Sequence, residues 1–408
     1  MPWELEIHHI DIGQGDSTLI FAKDTAVPAN NRAALIDGGL VGQGSVILDY
    51  LGNLGITKVN VMVASHYDKD HFGGLRYLLK HATTTIFDNT VIVDRGEQGD
   101  VDNHGVVTGM NRRNEYLEYL NFIALKPNRK RITDRLVSAY NSAAGVPPGW
   151  SLGRAFLNTE ILWRNNNPNL VVNGNPVALG DPIAKTSNDA PTITCIAADY
   201  YLLDENDQVV KQADGQGDAE NRLCLAFVVK FNNFRYYTGG DLESPQETVI
   251  ARHLNKTNNN AGRISAFKVS HHGSAKSTTL PFANRLGASA AIIPVGQSAT
   301  FGTETLPTQQ AINNLQNCAA IQNYYLTGID PNIDRNHIEE VNENVLQAGK
   351  SRVAGGYERK RVQRAMRRVE RRGHIVLEVT QNQSTQNPAT FSVSYWNTNL
   401  GMIDTIAH

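Results

Sequence analysis

The segment Ser65-His66-Tyr67-Asp68-Lys69-Asp70-His71-Phe72-Gly73-Gly74 packs four metal-ligand side chains into six residues. Imidazole suits zinc, and carboxylate oxygen suits harder ions such as manganese. Extended backbone has a side-chain period of two, so His66, Asp68 and Asp70 are expected on one side, with His71 arriving from another direction. Gly73 and Gly74 let the chain turn closely behind them. The result is a cradle for two adjacent cations. Two later segments also end strands in ligand types. Tyr236-Tyr237-Thr238-Gly239-Gly240-Asp241 offers one carboxylate able to bridge two metals, and Lys268-Val269-Ser270-His271-His272-Gly273-Ser274 offers two imidazoles. Alone, the first reads better as turn chemistry and the second as a polar strand tip. Beside the 65–74 segment, both become candidate ligands.

An α/β framework is expected to carry these segments. Leu5, Ile7, His9 and Asp11 alternate along an opening strand; Ser17–Ala22 and Ala33–Asp37 follow as strands. Val46, Ile47, Tyr50, Leu51 and Leu54 recur at helical spacing before Gly55. Val59–Ala64 reads as a buried strand and Leu75–Lys80 as a helix. Arg112–Leu125 and Lys130–Ser142 are charged and helix-like, within a stretch from about 94 to 189 that reads as an insertion. Strands are expected again at Thr192–Ala197, Leu223–Lys230 and Phe234–Thr238, then a strand–helix–strand series from Ile264 to Thr327. Ile375–Thr380 and Phe391–Trp396 read as a closing hairpin. Strands alternating with helices indicate a layered α/β fold.

Composition narrows the function classes. The 408 residues are 41% hydrophobic, enough for a sizeable core, and carry a net charge of −2, so the chain is no general polycation. No apolar run approaches the roughly 18 residues of a membrane span, so no membrane partner is expected. Residues 1–10 lack the basic region of a signal peptide. Cys195, Cys224 and Cys318 are odd in number and far apart, as buried thiols of a reducing compartment would be. A cytoplasmic location is expected.

The ordered motifs resemble the metallo-β-lactamase superfamily, and within it the hydrolase domain of ComEC-type competence proteins. Asp11-Ile12-Gly13-Gln14-Gly15-Asp16 and Leu35-Ile36-Asp37-Gly38-Gly39 look like that group's first two signatures, and the HxDxDHxGG, GGD and HHGS segments follow in order. The resemblance covers the chain apart from about 94–189 and 330–372. It implies an αββα sandwich forming one domain over residues 1–408. That domain carries a helical insertion (94–189), a basic helical insertion near the C-terminus (330–372) and a closing β-hairpin (373–400). It also implies two divalent ions, zinc or manganese, held by His66, Asp68, Asp70, His71, Asp241 and one of His271 and His272. Either histidine of the pair fits as the ligand; taking His271 as the ligand leaves His272, which could donate a proton or contact phosphate, and Asp70 as the catalytic residues. Asp16 and Asp37 orient ligands. A further histidine usual in the superfamily is missing near Glu220-Asn221, leaving Asn221, Glu220 or water to fill its place.

The implied activity is phosphodiester hydrolysis, with DNA the favoured substrate and a metal-activated water as nucleophile. A small-molecule phosphodiesterase of the phosphorylcholine-esterase type and a non-catalytic metal-binding regulator are the alternatives. Three Asp and a hydroxide together neutralise two divalent ions, so an anionic substrate needs other cations. Lys276, Lys268 and the basic stretch 350–374 are candidates. In that stretch Arg361, Arg364 and Arg368 fall near one helical face that would attract phosphates, or would simply be solvated.

Overall fold

A computed structural model describes residues 3–81, 85–95, 100–101, 107–108, 113–126, 129–133, 150–151, 157, 160–162, 171–172, 175–176, 189–198, 201–211, 220–255, 263–296, 300–301, 304–328, 373–396 and 402–408. The chain opens with β1 (Trp3–His9), β2 (Thr18–Asp24), β3 (Arg32–Ile36), α1 (Gly44–Asn53), β4 (Val61–Val63), α2 (Lys69–His81) and β5 (Val91–Asp94). Then come α3 (Arg113–Ala124), β6 (Lys130–Thr133) and β7 (Trp150–Ser151). A second series holds β8 (Thr192–Ala198), β9 (Tyr201–Leu203), β10 (Val209–Lys211), β11 (Ala226–Phe231), β12 (Phe234–Thr238), α4 (Ser244–Leu254) and β13 (Ala266–Lys268). It continues with α5 (Leu280–Leu286), β14 (Ala290–Ile293), α6 (Gln309–Asn317) and β15 (Asn323–Leu326). The chain closes with β16 (His374–Thr380), β17 (Ser392–Trp396) and β18 (Met402–Ala407).

Two sheets result. One has ten strands in the order β18-β17-β16-β1-β2-β3-β4-β5-β6-β7, and the other eight in the order β10-β9-β8-β11-β12-β13-β14-β15. Pairing is parallel from β3 to β7 and from β12 to β15, and antiparallel elsewhere.

The period-two pleat explains the layering. Ala34 and Ile36, Val61 and Val63, and Val91 and Val93 point inward to the core shared with Phe227, Val229, Tyr236 and Ile292 of the other sheet. The residues between them, Leu35, Met62 and Ile92, point outward against Ile47, Leu51, Leu75, Leu79 and Tyr119 of α1, α2 and α3. Each such Val, Leu or Ile contributes roughly 1.5–3 kcal/mol by leaving water. On the other outer face, Ile250, Phe282 and Ile312 from α4, α5 and α6 join the first core. The architecture is the expected αββα sandwich.

Some local expectations change. Lys130–Thr133 is a strand, parallel to β5, not the start of a helix. Ile132 and Thr133 are β-branched, and pairing to a sheet edge outweighs the helical propensity of the flanking lysine and arginine. The closing hairpin gains a third strand, β18. The basic insertion expected at 330–372 lies outside the described residues. Cys195, Cys224 and Cys318 are buried free thiols, as expected. Among the described residues no helix is long and apolar enough to cross a membrane.

Candidate metal centre

The parallel strands place the motifs at one edge of the sandwich. Asp37 follows β3, His66 and Asp68 follow β4, Asp241 follows β12, and His271 and His272 follow β13. Such crevices outside the carboxyl ends of parallel strands are where α/β sheets bind ligands. Helix α2 begins at Lys69, so Asp70 and His71 lie in its first turn. The two-residue alternation expected of extended chain therefore stops at Asp68, and Asp70 reaches the site from the helix. The close passage behind it is real: a Cβ on Gly74 would fall 1.8 Å from the Gly38 carbonyl oxygen.

The histidines are oriented from behind. His71 Nδ1 lies 2.9 Å from Asp37 Oδ2. His272 Nδ1 lies 2.8 Å from the Pro294 carbonyl oxygen. Both partners only accept, so both Nδ1 atoms carry the proton. His66 Nδ1 is 3.0 Å from Ser65 Oγ, whose own proton goes to Asp37 Oδ2 at 2.6 Å, so the hydroxyl accepts from His66. Three imidazoles are thereby held in one tautomer, with their Nε2 lone pairs turned forward.

Each Nε2 is left to take a proton or a metal ion, and the atoms facing it are further ligand atoms. His71 Nε2 is 3.2 Å from His272 Nε2 and 3.2 Å from Asp241 Oδ1. His272 Nε2 is 3.4 Å from Asp70 Oδ2 and 3.7 Å from Asp241 Oδ2. His66 Nε2 is 3.7 Å from Asp68 Oδ2 and 3.9 Å from Asp241 Oδ2. His66 Nε2 and Asn221 Oδ1 are buried without a hydrogen-bond partner. Buried acceptors facing one another are costly unless a cation sits between them. The donor set thus fits metal ions: two imidazoles and two carboxylates around His71, and one imidazole with carboxylate and amide oxygens around His66.

Without an ion, the carboxylates draw protons onto these Nε2 atoms, the positions a bound metal would take. Burial alone would lower the His272 pKa, but Asp241, Asp16 and Asp70 outweigh it and raise it to about 9. His71 is raised well above its usual value in the same way, by Asp241 and Asp37 against burial. Burial would raise Asp241, yet His71, His272 and His271 hold it well below the usual carboxylate range. Each group is poised for opposite charge in its neighbourhood.

His66, Asp68, Asp70, His71, Asp241, His271 and His272 therefore share one neighbourhood. Within the pair, His272 faces His71 and Asp70, while His271 is partly exposed, with its Nε2 3.8 Å from Asp241 Oδ2. Both histidines adopt φ of +51°, a left-handed conformation costing roughly 1–2 kcal/mol each. The turn is held by Ser277 Oγ donating to the Ser270 carbonyl at 2.8 Å and Thr308 N donating to the Gly273 carbonyl at 2.9 Å.

Neighbouring residues sort into different tasks. Glu220 is not turned to the site: its carboxylate accepts from Arg95 Nη2 at 2.7 Å and from Tyr67 N at 2.8 Å. Asn221 is the neighbour that faces the histidines, its Nδ2 3.5 Å from His271 Nδ1. Lys268 is buried, donates to the Gly240 carbonyl at 2.7 Å and pairs with Asp16 Oδ2 at 2.5 Å, so it is unavailable to an external anion. Lys276 is exposed, with Nζ 3.8 Å from Glu243 Oε1. Arg361, Arg364 and Arg368 lie outside the described residues. Sequence reading missed Ser65, whose hydroxyl links His66 to Asp37, and Gln14, whose Nε2 reaches Asp70 Oδ2 at 3.4 Å. The only sequence signal for either was its place inside a motif.

Residues 10–107 match the model of the metallo-beta-lactamase superfamily. Solved structures similar to the chain include the metallo-beta-lactamase fold protein YhfI from Bacillus subtilis, at 10% identity over 80% of this chain and 96% of that one, with a TM-score of 0.37. They also include Tm1679, described as a metal-dependent hydrolase of the beta-lactamase superfamily, at 13% identity over 80% and 96%, with a TM-score of 0.38. A long form RNase Z from yeast is similar at 11% identity over 79% of this chain and 40% of that one, with a TM-score of 0.39. No curated protein matches the chain.

Proposed function

We propose that this chain, which has the metallo-β-lactamase fold and matches that superfamily over residues 10–107, is a metal-dependent hydrolase of phosphodiesters, with DNA the favoured substrate. The observation that carries the metal dependence is the 3.2 Å approach of two imidazole Nε2 atoms whose Nδ1 protons are both committed to acceptors. His71, His272, Asp70 and Asp241 would hold one ion; His66, Asp68 and Asp241 would hold a second, beside Asn221. Zinc and manganese both suit these donors. When bound, such ions lower the pKa of a water and stabilise charge on phosphoryl oxygens.

The chain's own residues then have separate tasks. Asp241 lies within reach of all four histidines and joins the two halves of the site. Asp37 and Ser65 fix the histidine tautomers. Asp70, gripped by Gln14, accepts a hydrogen bond from the attacking water. His271, at the partly exposed rim, contacts the substrate phosphate or its leaving oxygen. The phosphodiester reading is supported by the resemblance of the GQGD, HxDxDHxGG and HHGS motifs to ComEC-type hydrolase domains, and by the carboxylate-rich donor set.

The test is hydrolysis of linear DNA, RNA, cyclic dinucleotides and bis(p-nitrophenyl) phosphate by chelator-stripped protein reloaded with zinc or manganese. DNA cleavage that is lost in Asp70→Ala is expected. A metal-loaded protein that leaves every one of these substrates intact defeats the reading.

A further inference from the structure

Behind the histidines lies a second concentration of negative charge. Asp16 is buried, 3.6 Å from His71 Nδ1 and 3.6 Å from His272 Nδ1. Asp16, His71, Asp241 and His272 each offer an atom that lies within 4.8 Å of the others, a spacing able to hold a metal ion. A cation already serves this side. Lys268, from the end of β13, brings Nζ to 2.5 Å from Asp16 Oδ2, 2.7 Å from the Gly240 carbonyl oxygen and 4.0 Å from Asp241 Oδ1. An ammonium is a compact cation with no acceptor; here two oxygens contact it and the Asp241 carboxylate adds charge at 4.0 Å, an oxygen cage of the kind that a small hard cation draws closed around itself.

We propose that Lys268 sets how many ions the cluster takes: its ammonium is a tethered cation filling the oxygen cage of Asp16, Gly240 and Asp241. The charge of Asp16 is thereby balanced inside the protein, and Asp16 is withheld from metal ligation. Exchangeable ions are confined to the Nε2 side, where Asp70 and Asp68 supply the remaining carboxylates. The proposal rests on the metal-binding part of the function proposed above and adds a residue that decides occupancy. Its physical basis is the high cost of leaving buried carboxylates without a counter-charge. Once the tethered charge is removed, the cage draws an ion from solution.

The test counts metal and follows thermal stability, so it needs no substrate. Wild type, Lys268→Met and the double variant Asp16→Asn/Lys268→Met are stripped with chelator, reloaded with excess Mn2+ and desalted. Metal per chain is then measured by mass spectrometry, and melting temperature is recorded with and without Mn2+. Lys268→Met is expected to hold one more ion per chain than wild type and to gain more in melting temperature on Mn2+ addition. The double variant, which removes both charges of the pair, is expected to return to the wild-type count. A folded Lys268→Met with the wild-type count overturns the proposal. So does a Lys268→Met that stays unfolded in saturating Mn2+, because the vacated cage should then have been filled. A double variant that keeps the extra ion places that ion away from Asp16 and overturns it too. Wild type that retains no Mn2+ removes both this proposal and the metal-dependent function. Wild type that binds Mn2+ yet cleaves no phosphodiester removes the hydrolase reading alone.

Discussion

His71 and His272 present their Nε2 atoms to each other at 3.2 Å, although 201 residues separate them in the chain. Neither can turn away, because Asp37 and the Pro294 carbonyl hold the opposite ring nitrogens. Asp241 closes the same space from a third direction. The folded chain therefore gathers ligand atoms around a space that draws a proton or a divalent ion.

Chelation is accordingly expected to lower the melting temperature and re-addition of Zn2+ or Mn2+ to restore it. A ligand at a hundredfold excess over its Kd stabilises by about 2.7 kcal/mol. The two carboxylates that flank His66 should differ in the same measurement. Asp241 approaches four histidines and is buried, whereas Asp68 approaches His66 and is partly exposed. Asp241→Asn is expected to abolish the metal-dependent shift, and Asp68→Asn to reduce it while one ion is retained. Equal effects of the two substitutions would show that Asp241 does not join the halves of the site.

A pH effect is expected from a residue outside the metal cluster. Glu247, on α4, lies fully buried against the histidine-bearing turn, and Thr278 N donates to its Oε2 at 2.7 Å. Burial pushes its pKa from 4.5 to about 8, against the lowering effect of Ser270, Thr278 and Lys268. Between these two values the folded protein keeps a proton that the unfolded chain has released. Stability should therefore fall as pH rises from 4.5 towards 8, and level off above. One pKa unit corresponds to about 1.4 kcal/mol, so the loss is on the order of a few kcal/mol. Glu247→Gln stays neutral and can still accept from Thr278 N. Denaturant unfolding of metal-free protein at several pH values should show its slope flattened relative to wild type. Parallel curves for the two proteins would place the titration elsewhere.

The inner strands were legible as short apolar runs, Ala34-Leu35-Ile36 and Val61-Met62-Val63, which the structure buries on both faces. The ligands were legible because they end those strands in dense short motifs. Partners chosen across the fold were not. Lys268 read as a cation for substrate, since nothing in its neighbourhood in sequence announces Asp16 or the Gly240 carbonyl. Glu220 read as a substitute ligand, since Arg95 is 125 residues away. Lys130–Thr133 read as helix because its charged residues carry no sign of the β5 edge that they join. In each case the deciding interaction is long-range, and local propensity or composition does not encode it.

Arg95 and Glu220 form an ion pair directly behind the first ligand segment. Arg95 is fully buried at the end of β5, stacks its guanidinium 4.6 Å from the centre of the Tyr67 ring and pairs with Glu220 through Nε at 3.1 Å and Nη2 at 2.7 Å. Glu220 in turn accepts from Tyr67 N, between His66 and Asp68. The pair therefore ties the first ligand segment to the turn that carries Asn221. Breaking a buried pair from one side leaves the other charge uncompensated, at a cost of about 3–5 kcal/mol. Glu220→Gln keeps an acceptor for Tyr67 N and loses the counter-charge to Arg95. It is expected to lower unfolding free energy by an amount in that range, or somewhat less because Glu220 is partly exposed, and to weaken metal affinity at His66 more than at His71. Glu220→Ala, which also loses the acceptor for Tyr67 N, should weaken it further. Unfolding curves and metal competition with a chelating dye separate the two effects. If both variants lose stability while metal affinity stays at the wild-type value, the pair supports the sheet edge and has no part in placing the His66 ligands.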